Sequence, residues 1–151
     1  MEYLLNATSK NILWAAISTP TGLEDWFADK VVSDDKIVEF HWGKTEQRNA
    51  EIIAIRSFSF IRFRWQDDEN ERDYFEIKMT YNELTSDYVL EITDFAEADE
   101  VADMKELWES QVAKLRMNVW FLVNFQLKIF YATFFVLILR LNCTNLLRCY
   151  A

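Results

Sequence analysis

Few side chains in this sequence are suited to chemistry, and His41 is the clearest candidate. It is the only histidine among 151 residues, and an imidazole can act as a general base near neutral pH. Apolar and polar residues alternate around it, which places His41 on the opposite side of a strand from Phe40 and Trp42, facing solvent. The sequence assigns it no partner there, so we predict that His41 is not catalytic.

Two other groups of polar residues resemble sites without meeting their requirements. The acidic run Asp67–Glu69 suggests a cation site, but it lacks the spacing of a calcium loop and lies in a predicted turn. We interpret it as a solvated loop. Ser57, Ser59 and Ser86 have no neighbouring motif that would activate a hydroxyl as a nucleophile. We therefore predict no catalytic residue, no metal ligand and no cofactor.

Charge and hydrophobicity divide the chain near Arg116. All 25 acidic residues lie between Glu2 and Glu109, and residues 1–116 carry a net charge of −12. Residues 117–151 contain no acid, both cysteines and 25 apolar residues out of 35. The acidic body argues against nucleic-acid binding, which needs an excess of Lys and Arg. It also argues against docking of the body on anionic lipid.

The first 116 residues have the size of one domain, and they hold five of the six tryptophans. They contain no cysteine and one histidine, which excludes thiol catalysis, disulfides and most zinc sites from this part. The N-terminal sequence MEYLLNATSK lacks the basic start and apolar segment of a signal peptide. We therefore predict a cytoplasmic location.

The elements that position these residues can be read from periodicity. Residues 2–6 predict a short strand, and Thr8 or Ser9 is expected to cap a helix that ends near Ser18. Pro20 and Gly22 then interrupt the chain. A second short helix is predicted from the capping-box spacing of Thr21 and Glu24, and it is expected to hold Leu23, Trp26 and Phe27.

Between Val31 and Asp94, apolar and polar residues alternate in successive segments, which predicts antiparallel strands with one buried face. The predicted buried face consists of Val38, Phe40, Trp42, Ile61, Phe63, Trp65, Phe75, Ile77 and Met79. Phe58 and Phe60 are out of phase with their neighbours. A bulge near Phe60, or burial on both sides, would explain them.

The opposite face of the predicted sheet carries charges of both signs. Arg62 and Arg64 share it with Glu76, Lys78 and Glu91. We predict that these residues form cross-strand salt pairs rather than a functional site.

From Ala98 the period becomes helical. One apolar stripe is formed by Val101, Met104, Trp108, Val112, Leu115 and Val119. Acidic residues cluster near the start of this helix, where the helix dipole favours them. The stripe is expected to pack on the buried face of the sheet.

The order of a strand, two short helices, an antiparallel sheet and a long last helix is the helix-grip arrangement, an α+β fold. Its sequence signals are TPTGLEDWFAD at 19–29, FHWG at 40–43, FRW at 63–65 and the helix around Leu107-Trp108. They resemble the START-like (SRPBCC) superfamily, which includes activator-of-heat-shock-ATPase homologues, and in particular its small bacterial START-like domain proteins. The resemblance covers roughly residues 1–116. It implies a curved sheet wrapped around the last helix, with a cavity between them.

Many relatives bind hydrophobic small molecules in that cavity, while some are co-chaperones and some are cyclases. The resemblance therefore implies non-enzymatic binding of a hydrophobic small molecule or lipid. The expected ligand-binding residues are Trp26, Phe27, Trp42, Phe63, Trp65, Phe75, Ile77, Met104 and Trp108. Trp26 and Phe27 would flank the entrance, although we favour a role for both in the core. The alternative is a co-chaperone-like protein-interaction module with a filled core.

The resemblance ends near Leu115, which divides the chain into a domain at 1–117 and a hydrophobic tail at 118–151. Residues 119–139 form a 21-residue apolar segment, long enough to span a bilayer. Asn124, Gln126 and Lys128 near its centre oppose insertion. Three alternatives stay open: an end that results from a frameshift, a membrane-associated tail, and a helix that packs on a partner.

Overall fold

An antiparallel sheet of seven strands forms one layer of the structure, a computed structural model that describes residues 1–5, 9–68, 70, 72–121, 125 and 128. Two short helices, α1 (Lys10–Ser18) and α2 (Pro20–Glu24), follow the first strand, and a long helix α3 spans residues 101–121. The strands are β1 (Glu2–Leu5), β2 (Lys30–Asp34), β3 (Ile37–Trp42), β4 (Glu46–Arg56), β5 (Phe60–Trp65), β6 (Phe75–Asn82) and β7 (Asp87–Thr93).

The strand order is β1-β7-β6-β5-β4-β3-β2, and all neighbours are antiparallel. Strands β2 to β7 follow one another in space as they do in sequence, whereas β1 pairs with the last strand. β1 and β2 are therefore the two edges. This arrangement, with α3 packed on the sheet, confirms the predicted α+β helix-grip fold.

The core lies between the concave face of the sheet and α3. All nine predicted concave residues are buried except Trp42 and Trp65, which are half-buried. From α3, the buried stripe consists of Trp108, Val112, Leu115 and Val119, and Met104 packs against it at its edge. The period of two along the strands and of 3.6 along the helix therefore identified the surfaces that meet.

The predicted capping box of the second helix is wrong. α2 is capped by Thr19, whose Oγ1 accepts a hydrogen bond from the backbone N–H of Gly22 over 3.0 Å. Pro20 occupies the first turn, where its missing N–H costs nothing. Glu24 ends the helix, and its Oε1 accepts from the backbone N–H of Val31 over 2.8 Å. Glu24 thus ties α2 to β2 instead of closing its own helix.

Trp26 and Phe27 consequently lie in the turn after α2 and not within the helix. The close approach of α2 to α1 requires a glycine at position 22. A Cβ there would lie 2.1 Å from the carbonyl oxygen of Ala15 and 2.6 Å from the Cα of Ala16. The indole Nε1 of Trp26 donates to the carbonyl of Ala16 over 3.0 Å, which fixes this ring in the core.

Cross-strand salt pairs form on the convex face as predicted, although Arg64 pairs with Glu51, which was not among the predicted residues. The three cross-strand pairs are Arg62–Glu76, Arg64–Glu51 and Lys78–Glu91, each with a nitrogen–oxygen distance of 2.7 Å. Each pair joins two residues that lie directly opposite each other on neighbouring strands. This face is therefore a solvated ionic surface over much of its area.

The irregularity around Phe58 has a different origin from the one expected. The register shift lies between Ile52 and Ala54 on β4, not near Phe60. Phe58 itself lies in the β4–β5 turn with φ at 58°, and its ring centroid is 5.8 Å from that of Trp14 in α1. Phe58 departs from the alternation of its neighbours because it lies in this turn and contacts α1.

The described part of α3 reaches into the predicted tail. The helix continues through Met117 to residue 121, and Val119 is only 3% exposed. Most of the segment 119–139 falls outside the described residues, so its three alternatives stay predictions, as does the boundary at 117. Within the described part of the chain, no helix combines the length and the apolar character needed to cross a membrane.

Candidate functional site

A cavity of about 340 Å³ lies between the concave face of the sheet and α3. This aromatic cavity is lined by Phe27, Trp42, Trp65, Phe75 and Trp108. Its other lining residues are Glu46, Arg48, Asp94, Leu107, Ser110, Gln111 and Lys114. Small-molecule sites in proteins typically measure about 300–1,000 Å³ and are mostly apolar with a few polar groups. The cavity lies near the lower end of this size range, and its lining is half apolar and half polar or charged.

The ends of three strands, β3, β5 and β6, place the aromatic side chains of the sheet together. Trp42 is the last residue of β3, Trp65 is the last of β5, and Phe75 is the first of β6. The ring centroids of Trp65 and Phe75 are 4.8 Å apart, and those of Trp42 and Trp65 are 6.2 Å apart. Such ring pairs contribute about 0.5–1.5 kcal/mol each beyond their buried area. The aromatic wall is therefore held by its own packing.

Phe27 and Trp108 close the cavity from the helical side. Their ring centroids lie 5.6 Å apart, and the Phe27 ring stacks on Phe75 at 5.6 Å. The carbonyl oxygen of Phe27 accepts hydrogen bonds from Trp42 Nε1 over 2.8 Å and from Gln111 Nε2 over 3.3 Å. The turn after α2 is thereby joined to both the sheet and α3.

Five of the nine residues predicted to bind a ligand border this cavity, and four do not. Those that border it are Phe27, Trp42, Trp65, Phe75 and Trp108. Trp26, Phe63 and Ile77 are buried in the core away from it, and Met104 packs at the edge of the core. The preferred core role thus describes Trp26, whereas Phe27 is both a core residue and part of the cavity wall.

The carboxylate of Asp94 is the main polar group that the sequence did not reveal. Its Oδ2 accepts from Trp108 Nε1 over 2.8 Å, and its Oδ1 accepts from the backbone N–H of Phe95 over 2.9 Å. Burial raises the pKa of Asp94 above its ordinary value, and the two hydrogen bonds only partly oppose that effect. Asp94 follows β7 directly, but sequence alone did not show that this end of the strand meets α3.

Gln111 was also missed. It is 7% exposed, and its Oε1 is buried without a hydrogen-bond partner among the described residues. A signal existed in the sequence, because Gln111 lies three residues after Trp108 and four before Leu115, on the face of the apolar stripe. A polar residue at such a position is a candidate for a site.

Arg48 gives the acidic run at 67–68 a structural role. Its guanidinium bonds Asp67 over 2.7 Å and Asp68 over 3.2 Å, and it lies 4.3 Å from the centroid of the Trp65 ring. The hydrogen bond from Arg48 lowers the pKa of Asp67. The interpretation of this run as a simply solvated loop is therefore incomplete, because both aspartates hold Arg48 over the aromatic wall. Glu69 lies outside the described residues.

His41 lies on the convex face, as predicted, away from the aromatic cavity, but it is half-buried with its Nε2 enclosed and does not simply face solvent as expected. Its Nε2 is 2.5 Å from Oε1 of Glu39, two residues earlier on the same strand face, although the two are not aligned as a hydrogen bond. It therefore has a charged neighbour that the sequence analysis did not assign. Across the described residues, no group of three His, Cys, Asp or Glu side chains is placed to hold a metal ion.

A second, larger concavity of about 800 Å³ lies between β1 and the C-terminal end of α3. It is lined by Leu4, Leu5 and residues 116–121. Its wall includes the last turns of α3, next to the predicted tail, and it contains none of the clustered aromatic and polar groups described above. We therefore place the candidate site in the aromatic cavity.

The chain is similar to several solved protein structures. A solution structure of the protein BfR322 from Bacteroides fragilis is 81% identical over 78% of this chain and 87% of that one, with a TM-score of 0.56. The Aha1 dimer from Colwellia psychrerythraea is 12% identical, over 79% of this chain and 92% of that one, with a TM-score of 0.65.

DynU16, from the dynemicin biosynthetic locus, is 17% identical over 78% of this chain but only 45% of its own, with a TM-score of 0.64. Similarity at the identities of Aha1 and DynU16 concerns the fold alone. No curated protein matches the chain. The family described as the START-like superfamily domain matches residues 1–120. The chain therefore belongs to the START-like superfamily.

Proposed function

We propose that this domain binds a hydrophobic small molecule in the aromatic cavity without catalysing a reaction on it. The observation that carries the proposal is the cavity itself, about 340 Å³ in volume and walled by five aromatic side chains. Phe27, Phe75 and Trp108 are each at most 5% exposed, so the wall is formed within the packed core. Trp42 and Trp65, which are half-buried, supply accessible apolar surface that favours an apolar ligand.

A non-enzymatic role is supported by the arrangement of the polar groups. Catalysis of group transfer needs a nucleophile beside an oriented base, with room for the substrate at both. Both oxygens of Asp94 accept hydrogen bonds from the protein, and His41 lies on the opposite face of the sheet. The cavity wall contains one hydroxyl group, that of Ser110. Among the described residues, neither Asp94 nor His41 forms a hydrogen bond to it.

Binding of N-phenyl-1-naphthylamine, a neutral apolar fluorophore, tests the proposal. We expect one site per chain in the wild type. Ser110→Trp, which adds a large side chain at the exposed helix position lining the cavity, should weaken binding at least tenfold. The matched control is Ala102→Trp, at an exposed position of α3 away from the cavity, and it should bind like the wild type.

Absence of binding by the wild type, or equal binding by both tryptophan variants, would contradict the proposal. Binding at sites outside the cavity would appear as a stoichiometry that Ser110→Trp does not change. Circular dichroism of each variant shows whether the fold is retained.

A second candidate, a protein-interaction module, is favoured by an exposed apolar pair at the open edge of the sheet. Val32 and Ile37 are 43% and 37% exposed and are diagonal neighbours in the β2–β3 register. Exposed apolar side chains beside an unpaired edge strand are a feature of interaction surfaces. Val32→Lys should release a protein partner that docks there and leave binding of the fluorophore unchanged, which separates the two functions.

A further inference from the structure

We infer that the aromatic cavity selects a ligand that carries a hydrogen-bond donor, such as a hydroxyl or an amine, on an apolar or aromatic body, and that it discriminates against carboxylates. The inference rests on the proposed binding function and adds the polarity of the ligand to it. It follows from a count of which donors and acceptors in the cavity wall are already used.

Two of the three indole N–H groups of the wall are engaged by the protein itself. Trp42 Nε1 and Gln111 Nε2 both donate to the carbonyl oxygen of Phe27, and Trp108 Nε1 donates to Asp94. The two indoles could bond a ligand acceptor only by giving up an internal hydrogen bond, whereas the amide nitrogen of Gln111 retains one further N–H. A ligand that brings only acceptors would thus find fewer partners than the number of indoles in the wall suggests.

Of the two cationic groups in the wall, Arg48 is limited in the same way. The guanidinium of Arg48 is bonded to Asp67 and Asp68 and lies over the ring of Trp65. Lys114 is exposed at the rim, where Glu46 lines the same cavity. An anionic ligand would therefore have no unneutralised cation deep in the cavity to compensate for its loss of water.

The acceptors of the wall are in surplus. Oε1 of Gln111 is buried and has no partner among the described residues. The carboxylate of Asp94 accepts two hydrogen bonds, whereas its two oxygens offer about four acceptor positions. A buried acceptor without a donor is costly, and a donor on a bound molecule would remove that cost.

The orientation of the Gln111 amide supports this count. If oxygen and nitrogen were exchanged, the oxygen would face the carbonyl oxygen of Phe27, which offers only acceptor positions. The hydrogen bond to Phe27 therefore leaves the amide oxygen as the unpaired group.

Among the described residues, Trp65 is the one indole of the wall without a hydrogen bond. A hydroxyl group, which both donates and accepts, therefore fits the wall well.

Charge adds to the preference. Asp94 and Glu46 both line the cavity, and residues 1–116 carry a net charge of −12. A carboxylate placed beside Asp94 would meet like charge in a partly desolvated setting, where the repulsion is strongest. The same surroundings tolerate a neutral or cationic donor.

Three probes with the same ring system test the inference: 2-naphthol, 2-methoxynaphthalene and 2-naphthoate, titrated calorimetrically into the full chain near neutral pH. The naphthol carries a donor, the ether only an acceptor, and the naphthoate a negative charge. We expect 2-naphthol to bind about tenfold more tightly than the ether, as one hydrogen bond to a buried group would give. Naphthoate should bind most weakly.

The residue assignment is tested with Gln111→Leu, which keeps the size of the side chain and removes the unpaired oxygen. It should reduce the preference for naphthol over the ether while retaining binding of the ether. The matched control is Gln47→Leu, at an exposed position that pairs with His41 and is not part of the cavity wall, and it should keep the preference. If Gln111→Leu does not fold, Asp94→Asn provides the same test, because it replaces an acceptor with a donor and should favour naphthoate.

The outcomes separate the two proposals. Equal binding of the three probes, or tightest binding of naphthoate, would overturn the inference and leave the proposed binding function standing. Binding of none of the three by a folded chain would contradict the proposed function itself. A preference for naphthol that survives both cavity variants would show that the donor is recognised elsewhere.

Discussion

The indole Nε1 of Trp108 donates a hydrogen bond to Oδ2 of Asp94 across 2.8 Å, and this bond joins α3 to the segment that follows β7. Trp108 is 3% exposed and Asp94 is half-buried, so the bond lies at the inner side of the cavity wall. The shape of the cavity and the stability of the domain therefore depend on the same pair.

Replacement of Trp108 tests its double role in core and cavity. Trp108→Ala removes a buried ring that packs on Phe27, Phe75 and Trp26, and should lower the free energy of unfolding by about 3–5 kcal/mol. Trp108→Phe keeps an aromatic ring and loses the bond to Asp94, which should cost about 1–3 kcal/mol. Urea unfolding measures both values. A loss well below 3 kcal/mol for Trp108→Ala would mean that the ring mainly borders open space.

The raised pKa of Asp94 predicts a pH dependence of stability. Between the ordinary aspartate pKa of 3.8 and the raised pKa in the fold, the folded protein holds more protons than the unfolded chain. The stability that Asp94 contributes is therefore fully present below this window and decreases as the pH rises through it. Asp94→Asn removes this dependence, so the stability of the variant relative to wild type should increase with pH across the window.

Urea unfolding of both proteins at steps from about pH 4 to about pH 8 measures this difference. The comparison with wild type cancels the opposite contribution of Asp67 and Glu91, whose pKa values are lowered by Arg48 and Lys78. Those two carboxylates contribute stability above their ordinary pKa values that is lost as the pH falls. A difference between the two proteins that stays constant with pH would contradict the prediction for Asp94.

The sequence predicted the surfaces of the fold better than the connections between them. Residues such as Phe40, Phe63 and Ile77 were placed correctly on the concave face, because alternation alone determines which side of a strand a residue occupies. β4 was not recognised as a separate strand. Its sequence EQRNAEIIAIR alternates poorly, and the register shift between Ile52 and Ala54 breaks its period.

The sequence predicted the aromatic residues of the candidate site but not its polar groups. Aromatic residues within an alternating strand pattern can be recognised in the sequence, and Trp42 and Trp65 were identified in that way. Asp94 and Gln111 become part of the site only because α3 crosses the end of β7 and the turn after α2. That crossing depends on contacts between residues 14 to 84 positions apart in the chain, which no local pattern encodes.

Removal of the single histidine should have little effect. His41 lies on the convex face beside Glu39 and away from the cavity wall. We expect His41→Ala to change the free energy of unfolding by about 0.5 kcal/mol or less, as is common for substitutions outside the core. Binding of N-phenyl-1-naphthylamine should be unchanged. A loss of binding, or a metal ion bound at His41, would show that the convex face carries a function.

The point at which the domain ends can be determined with two shortened chains, ending at residues 117 and 121. Three contacts near this point join α3 to the body: Arg116 Nε donates to the carbonyl of Leu4 over 3.1 Å, Asn118 Nδ2 donates to the carbonyl of Asp25, and Val119 is buried. The Bacteroides fragilis relative, whose structure was determined in solution, matches 78% of this chain. We therefore expect both shortened chains to fold.

The chain ending at 121 should unfold cooperatively and be more stable than the chain ending at 117, by about 1.5–3 kcal/mol for the burial of Val119 alone. Urea unfolding measures this difference, and Val119→Ala in the longer of the two should reproduce most of it. The full chain should partition into detergent more strongly than either, because residues 122–151 are mainly apolar. Equal stability of the two shortened chains would place the boundary at 117. Failure of the chain ending at 121 to fold would show that the tail is an integral part of the domain.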